Sequence, residues 1–358
     1  MNFDCAIIGG GVAGQALAAE LAPHASVCVL EMEAQLGYHA SGRSAAMFLA
    51  EYGNEIVRAL NRASADQLST LGVLKAKSMM LLAKTGEEDA FETEHRAFQM
   101  DRISMSEAKT LFPIIDTQTC ITAGFREDIF ELDADLMMQK LQKRARAHGV
   151  QFITGEPVKS IRPGGNSWIL KTPSQTISAT VLVNAAGAWV DEVAELAGAQ
   201  PLGFQPYRRS MARLPAPGGH DVSSWPFVDG VNEGWYAKPD AGKWLVSPQE
   251  EDPMAPFDAY ADDMVLAEGL ARYQDYVTED VTRVEYSWAG LRTFAPDRAL
   301  VLGADVELPG FFWCGGQGGY GFQTALAAST MLAEEILGQR PSFESGLRTA
   351  LSPARFST

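Results

Sequence analysis

Basic residues are scarce in this chain. It has 29 Lys and Arg against 45 Asp and Glu, a formal charge of −16 and a pI near 4.8. Such a surface repels nucleic-acid phosphates and anionic lipid, so neither is expected as a partner. The plain consequence of the imbalance is solubility; an attraction for cationic substrates is the sharper reading. Cysteine is scarce too: Cys5, Cys28, Cys120 and Cys314 are all there are, and no two form a C-x-x-C pair. Neither a disulfide framework nor a metal site is therefore expected. Cys5 and Cys28 fall in apolar strand-like runs, where a buried thiol behaves as a small hydrophobe. The pattern fits a reducing cytoplasm. No apolar run approaches the ~18 residues of a membrane span. Asp4 comes early and Glu20 interrupts the first apolar stretch, so neither a signal peptide nor a transmembrane helix is expected. There is no internal repeat and no low-complexity segment.

What is present is an ordinary globular composition, 46% hydrophobic and 21% charged, in 358 residues. That length suggests two lobes, which length alone does not locate. The opening reads strand, turn, helix, strand. Ala6-Ile7-Ile8 is a short apolar run suited to a buried parallel strand. Residues 13–21 read as a helix of small and apolar residues ended by Pro23, and Val27-Cys28-Val29-Leu30 as the second strand.

Gly9, Gly11 and Gly14 between them match G-x-G-x-x-G. The first glycine permits the tight turn, the second lets backbone approach a pyrophosphate, and the third lets helix and strand pack closely. The helix N-terminus then offers free N–H groups to phosphate. Alone the pattern is weak. Here it follows a strand, opens a helix and meets Glu31, which can accept from ribose hydroxyls. The motif does not separate FAD from NAD. The next segment, Gly37-Tyr38-His39-Ala40-Ser41-Gly42-Arg43-Ser44-Ala45-Ala46, is rich in small and hydrogen-bonding residues and suits an extended cofactor lying along it; a mobile loop is the bland alternative.

Further on, residues 56–72 and 86–110 carry helical mixtures of polar and apolar residues. Residues 133–148 predict a better helix, capped by Asp133, closed by basic residues and stopped by Gly149. Short strands recur over 150–184. Val181-Leu182-Val183-Asn184 enters a second small-residue turn, Ala185-Ala186-Gly187-Ala188-Trp189. Residues 205–285 mix aromatic strands with Pro/Gly turns and one acidic helical stretch, about 258–275. A late strand, Phe311-Phe312-Trp313-Cys314, runs through a glycine-rich loop ending Gly318-Gly319-Tyr320-Gly321 into a helix over 323–337.

Glu31, the run His39-Ala40-Ser41-Gly42-Arg43-Ser44 and the late glycine-rich segment together resemble the D-amino acid oxidase superfamily of FAD-dependent oxidoreductases. The likeness extends over nearly the whole chain. It is strongest at 181–189, 205–210, 236–242, Ser287-Trp288-Ala289-Gly290-Leu291-Arg292, 311–324 and Leu351-Ser352-Pro353. Within the superfamily the bacterial FAD-dependent D-arginine dehydrogenases look closest. The resemblance implies an α/β fold: a Rossmann-like FAD-binding domain of the GR2 type, interleaved with an α+β substrate domain on an antiparallel sheet. The expected division is 1–75, 140–205 and 285–358 for the FAD domain, and 76–139 and 206–284 for the substrate domain.

The resemblance also implies roles. Gly9, Gly11, Val12, Ala13, Gly14, Glu31, Ser41, Arg43, Ser44, Ala45, Ala46, Val158, Ala186, Gly187, Trp189, Gly318, Gly319, Tyr320, Gly321, Phe322 and Gln323 would line the cofactor. Arg209 and Arg292 would grip a substrate carboxylate, for which a guanidinium's planar fork of donors is suited. Tyr52 and Tyr236 would be pocket phenols, the Gly319 carbonyl would receive the substrate amine, and Gln323 would stand beside the flavin. The last helix, its N-terminus aimed at the flavin pyrimidine, would stabilise negative charge on reduced FAD. The implied reaction is oxidation of an amino acid, D-configured with an apolar or basic side chain, by hydride transfer to FAD. It gives an imino acid, then a keto acid and ammonia, with oxygen or a quinone-like acceptor reoxidising the flavin. FAD would be non-covalent, since no cysteine lies near Gly290-Leu291-Arg292, where sarcosine oxidase relatives attach it. His39, in the cofactor run, is a poor candidate for a base.

Three positions depart from the D-arginine pattern. Met47 stands for histidine, Leu49 for threonine, and Ser78 for the glutamate implied to bind the guanidinium, which puts arginine in doubt and suggests a more apolar pocket. Phe227 and Asp229 replace aliphatic residues; Asp229 is either a turn residue or a relocated anchor for a basic side chain. The alternatives are a glycine- or sarcosine-type secondary amine oxidase, a 2-hydroxy acid dehydrogenase on the same fold, a non-enzymatic flavin sensor, and an NAD-binding dehydrogenase.

Overall fold

The computed structural model describes residues 1–357. Its first sheet is built around Asn2–Ile8, which pairs in parallel with Thr176–Asn184 on one side and Val27–Leu30 on the other. Phe311–Gly315 and Gln151–Ile153 extend the parallel order outward, and Val301–Ala304 closes one edge antiparallel. The central strands are buried on both faces, which explains their unbroken apolar runs. The helices Val12–Leu21, Glu55–Leu71, Ala134–Ala147 and Gly321–Ile336 pack together over one face. The hairpin Ser160–Pro163/Trp168–Lys171 and helix Val190–Ala197 lie against the other.

The expected helices form with small shifts. Asp133 caps Ala134–Ala147 by accepting the Leu136 N–H at 2.9 Å, and Gly149 follows at φ +87°. The stretch read as helical over 86–110 is two helices, Glu88–Ala97 and Met105–Leu111, separated by the strand Asp101–Ile103. The acidic stretch folds as Asp263–Gln274 behind the cap Asp262.

Among the described residues the second sheet has ten strands. Leu74–Lys84 pairs with Cys120–Leu132, and Gln205–Leu214 with Tyr286–Phe294. It is mixed rather than purely antiparallel, because Phe227–Gly230 runs parallel to Leu74–Lys84. The pieces also divide differently from the expected boundaries. Tyr286–Phe294 belongs to this second sheet through nine paired positions with Gln205–Leu214, so the return to the first sheet comes after 294 and not at 285. Met47–Phe48 likewise pairs into the second sheet, and helix Ala134–Ala147 packs on Val12–Leu21 of the first. Long-range pairing decides these assignments, and no local motif reports it. Among the described residues no helix is long and apolar enough to cross a membrane.

Candidate active site

A cavity of about 560 Å³ opens where the first sheet's strands end and continues to the face of the second sheet. Parallel α/β sheets place ligands at this carboxyl edge. At its nucleotide end the glycines divide into two kinds. Gly9 has φ +112°, and a Cβ there would lie 2.2 Å from the Ala185 carbonyl oxygen. A Cβ on Gly14 would lie 2.0 Å from the Gly9 carbonyl oxygen, so Gly14 serves the close packing expected of the third glycine, but it does not also line the cavity. Gly11 is different: its Cβ would meet only the Ser41 Oγ, at 3.2 Å, and it faces the cavity.

Val12 and Ala13 line the cavity beyond it, with the Val12 N–H donated to Ser41 Oγ at 3.0 Å. Glu31 accepts the N–H groups of Gly10 (2.8 Å) and Glu33 (2.9 Å), bracing the turn from the end of the second strand. A carboxylate has about four acceptor sites, so capacity for ribose hydroxyls remains. Ser44, Ala45, Ala46, Val158, Ala186, Gly187 and Trp189 also line the cavity. Ala46 sits at φ +34° with both neighbouring carbonyls tied into the second sheet: Lys238 Nζ donates to Ala45 O, and the Leu132 N–H to Ala46 O, each at 2.9 Å. A glycine cradle without Cβ atoms, a ribose-capable carboxylate and a long continuous cavity suit an extended dinucleotide such as FAD.

Arg43 lines the cavity, and its side chain has a second task. Its guanidinium donates to Tyr38 O, Ala259 O and Ala289 O and pairs with Asp258 at 2.5 Å. With its donors so engaged it ties the cofactor run to the second lobe, while the rest of the residue lines the cavity. Tyr320 departs from expectation. It packs edge-on to Tyr52 and Phe294 behind the cavity wall.

The substrate end is built on the second sheet. Tyr207 stands opposite Arg292 and Arg209 opposite Gly290, so the two arginines lie two positions apart in register on one face. Both line the cavity. Arg209 donates Nε to the Glu250 carbonyl at 2.9 Å and lies 3.4 Å from Glu251, which it shares with Arg298. Burial, and then the charge of Arg292, pull the Arg209 guanidinium below its ordinary value. Burial pulls Arg292 the same way, but the oxygens of Tyr52 and Tyr236 and the Glu251 carboxylate outweigh it and hold Arg292 above the ordinary value. Two desolvated cations facing one cavity make a site that favours an anion.

Gly319 closes in on this pair: a Cβ there would come within 3.2 Å of both Arg292 Nη1 and Tyr52 Oη. Tyr52 Oη lies 3.4 Å from Arg292 Nη1. Its loop is pinned by Asn61, which donates to Tyr52 O at 2.9 Å, and by buried Gln323, which accepts the Leu49 N–H at 2.7 Å. Tyr236 stacks on Phe227, ring centroids 5.3 Å apart, with its hydroxyl 3.2 Å from Met211 Sδ. Gly318, Gly321, Phe322 and Gln323 bring the start of helix Gly321–Ile336 to the cavity, and that helix has no side-chain N-cap. Its first N–H groups are therefore available to a ligand.

Met47, Leu49 and Phe227 line the substrate end, joined by Met79, Phe98 and Ile129, which sequence reasoning missed. Ser78 does not reach the cavity. The register shifts between Lys77 and Met79, with the extra residue on Cys120–Leu132, and Ser78 has no ladder partner; its neighbour Met79, on the alternate face, lines the cavity. Asp229 does line the cavity, and Gln249, also missed, donates to its Oδ1 at 2.5 Å. All four cysteines are buried, and burial pushes the Cys28 and Cys314 thiols up to about 12. None is a thiolate near neutrality.

Comparison with known proteins agrees with this architecture. Glycine oxidase from Geobacillus kaustophilus is 24% identical over 368 residues, covering 96% of this chain and 95% of that protein. Its crystal structure superposes with a TM-score of 0.82 at 23% identity over 96% of both chains. L-α-glycerophosphate oxidase from Mycoplasma pneumoniae, solved with FAD bound, superposes with a TM-score of 0.83 at 19% identity, covering 96% of this chain and 97% of that one. Mitochondrial dimethylglycine dehydrogenase of Rattus norvegicus is 25% identical over 207 residues, which is 54% of this chain but only 24% of that protein. The expected nearness to D-arginine dehydrogenases is thus corrected toward glycine oxidase and dimethylglycine dehydrogenase. The family model for FAD dependent oxidoreductases (DAO) matches residues 4–335, and the chain belongs to that family.

Proposed function

We propose that this enzyme oxidises the amine-bearing carbon of a D-configured amino acid with an apolar or basic side chain, releasing a keto acid and ammonia. The observation that carries the reading is the pair of buried guanidinium groups, Arg209 and Arg292, on one face of the cavity's substrate end. FAD, bound at the glycine cradle, supplies the two-electron oxidant. The arginines hold the substrate carboxylate by paired, charge-assisted hydrogen bonds. Their positive field disfavours a neighbouring ammonium, so the substrate amine binds neutral and no protein base is needed. The Gly319 carbonyl accepts from that amine, Tyr52 and Tyr236 shape the pocket, and the apolar wall excludes water until product is formed. The imino acid then hydrolyses in solution.

A second reading, oxidation of glycine, sarcosine or another secondary amine, is favoured by the likeness to glycine oxidase and dimethylglycine dehydrogenase. Anaerobic mixing of the FAD-loaded protein with D- and L-amino acids, glycine and sarcosine decides between them. D-amino acids should bleach the visible flavin band and release ammonia. Bleaching by glycine or sarcosine alone would leave the second reading standing, and bleaching by 2-hydroxy acids without ammonia would sink both. Repeating the positive reactions in air sorts oxygen from a quinone-like acceptor.

The buried, protonated cysteines lead to a further expectation. Denaturation should release the yellow cofactor into solution; colour retained on the precipitated chain would contradict non-covalent binding.

A further inference from the structure

We propose that Asp229 and Gln249 form a subsite for a cationic side-chain terminus, an ammonium or guanidinium, so that the preferred substrate carries an acid at one end and a cation at the other. The inference rests on the assignment of Arg209 and Arg292 to the substrate carboxylate. Asp229 lies on strand Phe227–Gly230, on the same face as Phe227, and both line the cavity. Gln249 comes from a separate strand end and adopts φ +56°, a left-handed conformation that non-glycine residues seldom take. Ser247 Oγ holds that turn by accepting the Gln249 N–H at 3.3 Å while donating to Ser210 O at 2.8 Å. The strained backbone aims the carboxamide at Asp229, occupying Oδ1. Oδ2 accepts no hydrogen bond among the described residues, and the partly buried carboxyl faces the cavity.

The surrounding charges ask for a cation. Burial, and then Glu94 and Glu233, hold the Asp229 carboxyl well above the usual carboxylate range, with the Gln249 hydrogen bond and Arg209 acting the other way. Arg209 already engages Glu250 and Glu251. Met47, Leu49, Met79 and Phe98 line the same cavity and give it apolar surfaces suited to a methylene chain. A wholly apolar side chain would fill the wall and leave Asp229 desolvated and half-partnered; a cationic tip completes it.

The test uses the FAD-loaded protein and calorimetric binding of ω-amino acids of four to six carbons, each against the matching unsubstituted acid. An apolar pocket alone favours the unsubstituted acid, so the sign discriminates. At least one ω-amino acid should bind about 10-fold or more tighter than its unsubstituted counterpart. Asp229→Asn, nearly isosteric, should abolish that preference and leave hexanoate binding unchanged. Equal or tighter binding of every unsubstituted acid by the wild-type protein overturns the subsite, as does an equal loss for both classes in Asp229→Asn. Anaerobic flavin bleaching by lysine and norleucine then separates the two proposals. If the ω-amino preference holds and no amino acid bleaches the flavin, the subsite stands and the deamination reading falls. If norleucine outpaces lysine and Asp229→Asn changes neither, deamination stands and the subsite falls.

Discussion

Arg292→Leu should lower kcat/KM for the preferred amino acid by roughly 30- to 5,000-fold, the range for removing one partner of a desolvated charge pair worth about 2–5 kcal/mol. The same substitution should leave the ligand-free protein as stable as the wild type, or slightly more so. Arg292 is buried beside a second cation, and among the described residues its guanidinium makes one hydrogen bond, a long one of 3.4 Å to the Tyr52 hydroxyl. Removing it leaves no carboxylate stranded, because Glu251 keeps Arg298 at 3.0 and 3.1 Å. Arg209→Leu is the contrasting case. That guanidinium holds the Glu250 carbonyl at 2.9 Å, so its loss should cost stability as well as substrate affinity. Steady-state kinetics and thermal melts, each with and without a carboxylate ligand, read both effects. Ligand should raise the wild-type melting temperature and leave Arg292→Leu unmoved. A kcat/KM within threefold of wild type would remove Arg292 from the carboxylate site.

The contrast between the two arginines shows what the sequence could and could not disclose. The nucleotide end was legible because its determinants are local. Strand, glycine turn, helix and Glu31 fall within the first 31 residues, each with a steric or hydrogen-bonding reason to be there. The substrate end is assembled from strands far apart in the chain. Arg209 and Arg292 meet only because Gln205–Leu214 and Tyr286–Phe294 pair over nine positions, and the chain alone suggested this only through family resemblance. Ser78 and Met79 are neighbours on opposite faces of Leu74–Lys84, so an offset of one residue decides which of them meets the cavity. Arg43 lay in the right segment, but its side chain found carbonyl acceptors on the opposite lobe, at Ala259 and Ala289. Gln249 had no local signature at all; only its left-handed backbone and its bond to Asp229 single it out.

The glycine cradle permits a separation of folding from cofactor binding. Gly11 has φ −75° and ψ −177°, extended backbone open to any residue, and its Cβ would meet only a serine hydroxyl at 3.2 Å. Gly11→Ala should therefore yield a folded apoprotein melting within a few degrees of the wild-type apoprotein. The new methyl group, however, projects where backbone must approach the pyrophosphate. An overpacking cost of about 1–3 kcal/mol weakens FAD binding by roughly 5- to 150-fold. Gly14→Ala makes the opposite demand. Its Cβ would press to 2.0 Å from the Gly9 carbonyl oxygen, a backbone atom that cannot swing aside, while a Cβ on Gly9 itself would meet the Ala185 carbonyl at 2.2 Å. Helix Val12–Leu21 would have to lift from the central strand, so Gly14→Ala should lose soluble, folded protein outright. Flavin titration of the two apoproteins, followed by fluorescence quenching, checks the pair. If Gly11→Ala bound FAD as the wild type does, the pyrophosphate would have to cross the cradle at some other point than Gly11.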